Sequence, residues 1–366
     1  MKITKIEVFR FSISMIPFGI ATGVMDRAQN ILIRVHTDTG LYGLGECSAF
    51  PMIVGETQET GWVLSRDFAK IWLGKDALDI AARMGELHRY IAGNSTIKSA
   101  FDMALYDLSA KHAGKPLYAF LGGAPKEVIT DITIGLNPAE KMAEQALEYQ
   151  QKGASILKIK LGDQADKDIE RVRKIRAAVG SDMKLRLDAN QGWDFEQAQY
   201  VLNTLSDQDI QFCEQPMRTY NDYKLPELKA LSPIAIMADE SCYDHHNAAR
   251  LIENNACTYL NIKLSKSSGI EEALRIHEVA QQHQMECMIG GMLESRIALS
   301  AKLHLAYACP YIRFFDLDTC MVGHLEDPAT EGVQYDGFTL SISDRPGIGA
   351  EVDESYLKKC ESQVFS

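Results

Sequence analysis

Five short apolar runs in the middle of the chain each end in a charged residue, and their spacing restricts the fold more than any other feature. They read ILKIKLG with Lys158 and Lys160, LRLDANQG with Asp188, IQFCEQP with Glu214, IAIMADES with Asp239, and TYLNIKLSK with Lys263. Glu214 follows Asp188 by 26 positions and Asp239 follows Glu214 by 25, about one strand plus one helix of a (β/α)8 barrel. The carboxyl ends of barrel strands face the active site, so the three acids are expected to converge on one point. Convergent carboxylates repel one another unless a cation lies between them. A hard divalent ion with oxygen ligands meets that need, and Mg2+ is the ion expected.

The rest of the chain fits that frame. Candidate barrel strands fall at 129–135, 156–162, 184–188, 210–214, 234–239, 259–264, 286–290 and 312–316. Amphipathic helices are expected between them, for example over 138–152, 166–179, 194–205, 248–254, 269–283 and 293–309. Ahead of the barrel, residues 2–14 and 30–37 alternate apolar and polar around the turn Asp38-Thr39-Gly40, as an antiparallel meander does. Helical periodicity follows over 59–120, so residues 1–124 read as an α+β module. The barrel then occupies 125–326, and 327–366 form short extended pieces expected to pack back on the first module. Two Gly-containing stretches of weak periodicity, 17–29 and 47–57, are expected to be mobile loops.

The chain length of 366 residues accommodates a barrel of ~250 plus a smaller module. A net charge of −12 without any run of Lys or Arg argues against nucleic acid as a partner. The eight cysteines stand singly with no CxxC, which favours free thiols in a reducing compartment. The N-terminus lacks the apolar core of a signal peptide and no uninterrupted apolar span reaches 18 residues. A soluble cytoplasmic protein away from membranes is expected from these features, and a homo-oligomer is expected besides.

Lys158 and Lys160 are two apart and share one face of their strand. A lysine beside other cations in a low-dielectric site has a lowered pKa and can serve as a base. Lys263 ends the sixth strand, diametrically opposite the second in a ring of eight, so Lys160 and Lys263 are expected to face each other across the metal. Lys266 is the rival for that second role, although its position points to the following loop. Asp316 and Asp318, in FFDLDT, end the eighth strand on one face and either cap a loop or bind a cationic group. The histidines show no metal-ligand spacing.

Taken together, KIK at 158–160, DAN at Asp188, EQP at Glu214, DES at Asp239 and IKLSK around Lys263 resemble the muconate lactonizing subgroup of the enolase superfamily. The resemblance implies an α+β capping domain on a (β/α)7β barrel. It makes Asp188, Glu214 and Asp239 the ligands of one Mg2+, Lys160 and Lys263 the two acid/bases, and Lys158 an electrostatic helper. Such enzymes abstract a proton α to a carboxylate and stabilise the resulting enolate. The Asp-x-Asp at Asp316 and Asp318 resembles the element with which dipeptide epimerases grip a substrate ammonium, so a dipeptide is the substrate expected. Members acting on Ala-Glu resemble one another in an Arg within the first loop, where this chain has Gly23. With Ile20, Val24 and Met25 around it, that loop suggests a hydrophobic C-terminal side chain. The alternatives are an N-acylamino acid racemase or o-succinylbenzoate synthase of the same subgroup, or a protein keeping the fold for binding alone.

Overall fold

The computed structural model describes residues 1–366. Strands β1 (Ile3–Ile20), β2 (Gly23–Thr37) and β3 (Tyr42–Ala49) form the antiparallel meander. Helices Gln58–Trp72, Ile80–Tyr90 and Ser95–His112 cover it, and Ile6, Phe68, Trp72, Phe101 and Leu105 fill a core of their own between the layers. Helix Ser95–His112 comes close to β3 because glycines stand opposite it. A Cβ at Gly43 would lie 1.9 Å from the Ala104 carbonyl oxygen, and one at Gly45 1.8 Å from that of Ala100. Both obstacles are backbone and cannot rotate away. Gly45→Ala is therefore expected to cost more than about 3 kcal/mol or to prevent folding, read by chemical denaturation.

Eight parallel strands follow in ring order: β4 (Ile132–Ile134), β5 (Ile156–Lys160), β6 (Lys184–Asp188), β7 (Ile210–Glu214), β8 (Ile236–Ala238), β9 (Tyr259–Ile262), β10 (Cys287–Gly290) and β11 (Ile312–Asp316). No ladder joins β4 to β11. That seam is closed by the amide of Asp131 donating to the Phe315 carbonyl (3.1 Å), Leu317 N–H to Thr130 Oγ1 (2.9 Å) and Thr133 N–H to Asp318 Oδ2 (2.6 Å). The expected helix over 248–254 begins earlier, at His245, because Asp244 caps it by accepting from the Asn247 amide at 2.7 Å. Helix Leu225–Leu231, which follows β7, is too short to show a period in the sequence. No helix is long and apolar enough to cross a membrane.

Buried carboxylates of the first module cap helices of the barrel. Glu46 accepts from Ser295 N (2.9 Å), Ser295 Oγ (2.6 Å) and Ala298 N (3.0 Å) at the start of helix Arg296–Ala308. Asp102 does the same for the Ile270 and Glu271 amides at helix Ile270–Gln282. These bonds satisfy orphan helix donors and fix the two modules against each other. Past the barrel, β12 (Gln334–Asp336) pairs with β13 (Thr339–Ser341), and β14 (Glu361–Phe365) adds to the meander with Ile6 opposite Phe365.

Residues 17–29 are not a loop. The β1–β2 ladder runs on to Ile20 opposite Gly23, around the two residues Ala21 and Thr22. An irregularity between Ser14 and Phe18 breaks the alternation, which hid the hairpin from a period-two reading. Backbone bonds tie the hairpin across the barrel mouth: Leu136 N–H to the Gly19 carbonyl, Ile16 N–H to Gly323 and Leu325 N–H to Ser14, each 2.9 Å. Residues 47–57 likewise hold the end of β3 and a short helix, Pro51–Val54, closed by Gly55 in the left-handed region at φ +74.

Candidate active site

The strand ends bring the charged residues together as their register requires. Lys158 Nζ, 1% exposed, sits between Asp188 Oδ2 (3.0 Å), Glu214 Oε2 (2.7 Å) and Asp316 Oδ2 (2.8 Å). Lys160 donates to Asp188 Oδ2 at 2.6 Å. Across the ring, Lys263 donates to Asp239 Oδ2 at 2.7 Å and stands 3.9 Å from Glu214 Oε1. Immediately beyond the acids the backbone is strained: Asn190, Gln191 and Gln215 all have positive φ. Non-glycine residues held there are typical of functional sites, where surrounding contacts enforce the geometry. Gln215 supplies such contacts, its Oε1 accepting from Asp239 N at 2.9 Å.

Lys266 lies in the loop after β9, as expected, but is fully buried there. Its ammonium donates to the carbonyls of Asp239, Cys242 and Asn261 and lies 2.6 Å from Asp239 Oδ1. It anchors Asp239 from behind, whereas Lys160 and Lys263 line a cavity of about 50 Å³. Asn190, Thr133, Gly291, Met292, Leu293, Asp316, Asp318 and Thr319 continue its barrel wall, and Phe18, Ile20, Phe50, Ile53 and Val322 close it. Ile20 thus reaches the cavity. Gly23, Val24 and Met25 do not line it: Val24 is 69% exposed, and Gly23 abuts Met52, whose sulfur would lie 2.3 Å from an added Cβ. Arg27 turns outward beside Asp26 at 3.5 Å. A wider cleft, about 730 Å³, lined by His88, Lys98, His245, Lys266 and Arg275 among others, gathers none of the strand-end acids.

The sequence reading passed over Asn190 and Asn261, which the period-two argument reaches. Asn190 lies two positions beyond Asp188, and Asn261, two before Lys263, donates to Glu214 Oε1 at 2.6 Å. Phe50, Ile53 and Met292 have no such signal, since loop paths decide their approach.

Electrostatics of the site differ from the expectation of lowered lysine pKa values. Burial acts to lower Lys263, but Asp239 and Glu214 hold it well above the ordinary range. Lys158 is raised in the same way by Asp316, Glu214 and Asp188 against its burial. Seven buried carboxylates (Asp131, Asp188, Glu214, Asp239, Glu240, Asp316, Asp318) face five buried cations (Lys158, Lys160, Lys263, Lys266, Arg186). The excess is two negative charges. It surfaces where the acids are most crowded: burial and Asp188 push Glu214 up to about 7, and burial and Asp239 push Glu240 up to about 8. Asp188 and Asp239, each in contact with two lysines, are held low against burial.

Two carboxylate groups could receive a cation. Asp131, Asp316 and Asp318 bring ligand atoms within 4.8 Å of one another, but Asp131 is committed to Arg186 (2.8 Å) and Asp318 to the Thr133 amide. Asp188, Glu214 and Asp239 offer an all-oxygen set at three consecutive strand ends. There Glu214 Oε2 and Asp239 Oδ1 accept no aligned hydrogen bond, although lysine ammoniums lie within contact distance. That set fits a divalent ion better.

A parallel barrel with acids ending β6 and β7 and just beyond β8, and lysines on β5 and just beyond β9, is the arrangement expected of the enolase superfamily. The chain belongs to its mandelate racemase/muconate lactonizing enzyme family: residues 4–122 match the N-terminal domain of that family and residues 141–356 the enolase C-terminal domain-like family. It is 40% identical over 99% of both chains to a D-Ala-D/L-Ala epimerase of Cytophaga hutchinsonii. The structure of a dipeptide epimerase from that organism, complexed with Mg and D-Ala-L-Val, superposes with a TM-score of 0.98 and covers 100% of both chains at 40% identity. A dipeptide epimerase from Enterococcus faecalis, complexed with Mg and L-Leu-L-Tyr, superposes at 0.93 with 36% identity over 96% of this chain and 100% of its own.

Proposed function

We propose that this protein is a Mg2+-dependent dipeptide epimerase that inverts the α-carbon of the C-terminal residue by 1,1-proton transfer and favours hydrophobic Ala-X dipeptides over Ala-Glu. The observation that carries the reading is the cavity itself. It has two buried lysines drawn from opposed strands, a pair of aspartates at one end, an apolar cover, and no arginine in its lining. Asp188, Glu214 and Asp239 would hold the ion, an all-oxygen set in which Glu214 Oε2 and Asp239 Oδ1 accept no aligned hydrogen bond. When bound, the ion supplies the positive charge that stabilises the carboxylate end of the substrate as its α-proton is lost. Lys160 removes or returns that proton on one face of the α-carbon, and Lys263 does so on the other. Lys158, bonded to three carboxylates, keeps a fixed positive charge beside them. Asp316 and Asp318 take the substrate ammonium, which favours a free dipeptide over an N-acylamino acid. Phe18, Ile20, Phe50 and Ile53 meet an apolar side chain, and the similarity to epimerases whose complexes hold D-Ala-L-Val and L-Leu-L-Tyr supports that preference. The unpaired cysteines, six of them buried, support a reducing, cytoplasmic setting.

The test is a dipeptide library in D2O with Mg2+, read by mass. Ala-Val, Ala-Leu and Ala-Met are expected to gain one deuterium rapidly and Ala-Glu slowly, with all exchange lost on chelation. Absence of exchange on every dipeptide and every N-acylamino acid would refute the catalytic reading.

A further inference from the structure

Helix Arg296–Ala308 is apolar on almost every side yet buries a lysine. Lys302 is 0% exposed, among Ala298, Leu299, Ala301, Leu303 and Leu305. Its ammonium donates to the Gly290 carbonyl at 2.8 Å and to Glu294 Oε2; Glu294 is itself 1% exposed. The same Glu294 oxygen accepts from Met292 N at 3.0 Å, and its other oxygen lies 3.5 Å from Ser265 Oγ, in the loop that follows Lys263. A buried ion pair is a poor source of stability, because desolvation offsets its attraction and an apolar pair of similar size does as well. What this pair does instead is set the end of β10. Gly290 lies against the stem of Lys263 so closely that an added Cβ would be 2.8 Å from Lys263 Cε and 2.6 Å from Asn261 Oδ1. The strand end that Lys302 holds is therefore the surface on which Lys263 rests.

We propose that Lys302, with Glu294, is a positioning residue for Lys263: it fixes the Gly290–Glu294 turn and through it the direction of the Lys263 ammonium into the cavity, without touching substrate. Lys160, on the opposite wall, donates its hydrogen bond to Asp188 and none to this turn. The effect is confined to one face of the α-carbon. This inference rests on the two-lysine epimerase reading.

The experiment separates the two faces. In a Lys160→Ala background, α-proton exchange in D2O with Mg2+ reports Lys263 alone; in a Lys263→Ala background it reports Lys160 alone. Lys302→Met combined with Glu294→Gln, which removes both charges and retains an acceptor for Met292 N–H, is expected to lower exchange tenfold or more in the first background. In the second it should leave exchange within twofold, with Tm unchanged or raised in both. Lys302→Arg, which restores the donor, should recover part of the loss. Equal losses in the two backgrounds, or none in either, would overturn the proposal. Absence of exchange in both single-lysine backgrounds before Lys302 is altered would instead remove the epimerase reading and this inference with it.

Discussion

Lys160→Ala and Lys263→Ala are each expected to abolish epimerisation while leaving exchange of the α-proton from one substrate epimer only. A positioned acid–base group contributes about 10²–10⁴-fold, and inversion needs both groups in every turnover, so a single loss removes at least that much. Both side chains line the cavity, Lys160 from β5 and Lys263 from just beyond β9, four strands apart in a ring of eight. The check is deuterium incorporation followed separately from the two pure epimers of one dipeptide. Lys266→Ala serves as the contrast. Its ammonium holds Asp239 and three carbonyls and does not reach the cavity, so its loss should slow exchange of both epimers alike and weaken the Tm increase that Mg2+ produces. If Lys263→Ala still epimerised and Lys266→Ala did not, the assignment of the second base would have to move to Lys266.

This contrast also marks how far the sequence could be read. The acids at 188, 214 and 239 were legible because strand ends in a barrel repeat at a nearly fixed interval, and a charge ending each apolar run has a register that chance caps lack. Lys263 and Lys266 could be separated only by expecting the latter in a loop. The structure places Lys266 in that loop and adds a second reason, since it is drawn inward by carbonyls that no local pattern announces. The hairpin over residues 17–29 was hidden by the irregularity between Ser14 and Phe18 and by side chains such as Ile16 and Val24 that stay exposed on a paired strand. Backbone hydrogen bonds help hold it in place beside the burial of Ile20 and Ala28, and hydrogen-bonding partners distant in sequence leave no period. Lys158 and Lys263 are raised where a lowered pKa was expected, for a related reason. Reasoning from the KIK pair counted the neighbouring lysines, whereas each ammonium is in contact with carboxylates brought from other strands.

Asp318→Asn is expected to reduce kcat/KM for free dipeptides by about 2–5 kcal/mol, roughly 30-fold to a few thousand-fold, because it removes a buried charge from opposite a substrate cation. Asparagine is the informative replacement. Asp318 Oδ2 accepts from Thr133 N–H across the open seam between β4 and β11, and an amide oxygen can keep that bond, so the barrel should survive with little change in Tm. The two aspartates are not equivalent. Asp316 is held below the usual carboxylate range, where Lys158 and Lys263 outweigh its burial, whereas burial and the Asp316 charge push Asp318 up to about 7. An arriving ammonium relieves that repulsion most at Asp318, which puts the larger loss there and the smaller at Asp316→Asn. The decisive comparison is between a free dipeptide and its N-acetyl derivative on the same variant. Removing the charge should penalise the free amine alone, raising KM more than it lowers kcat. Equal losses for both compounds would show that the aspartates shape the cavity without recognising an ammonium, and unchanged kinetics for both would favour an N-acylated substrate.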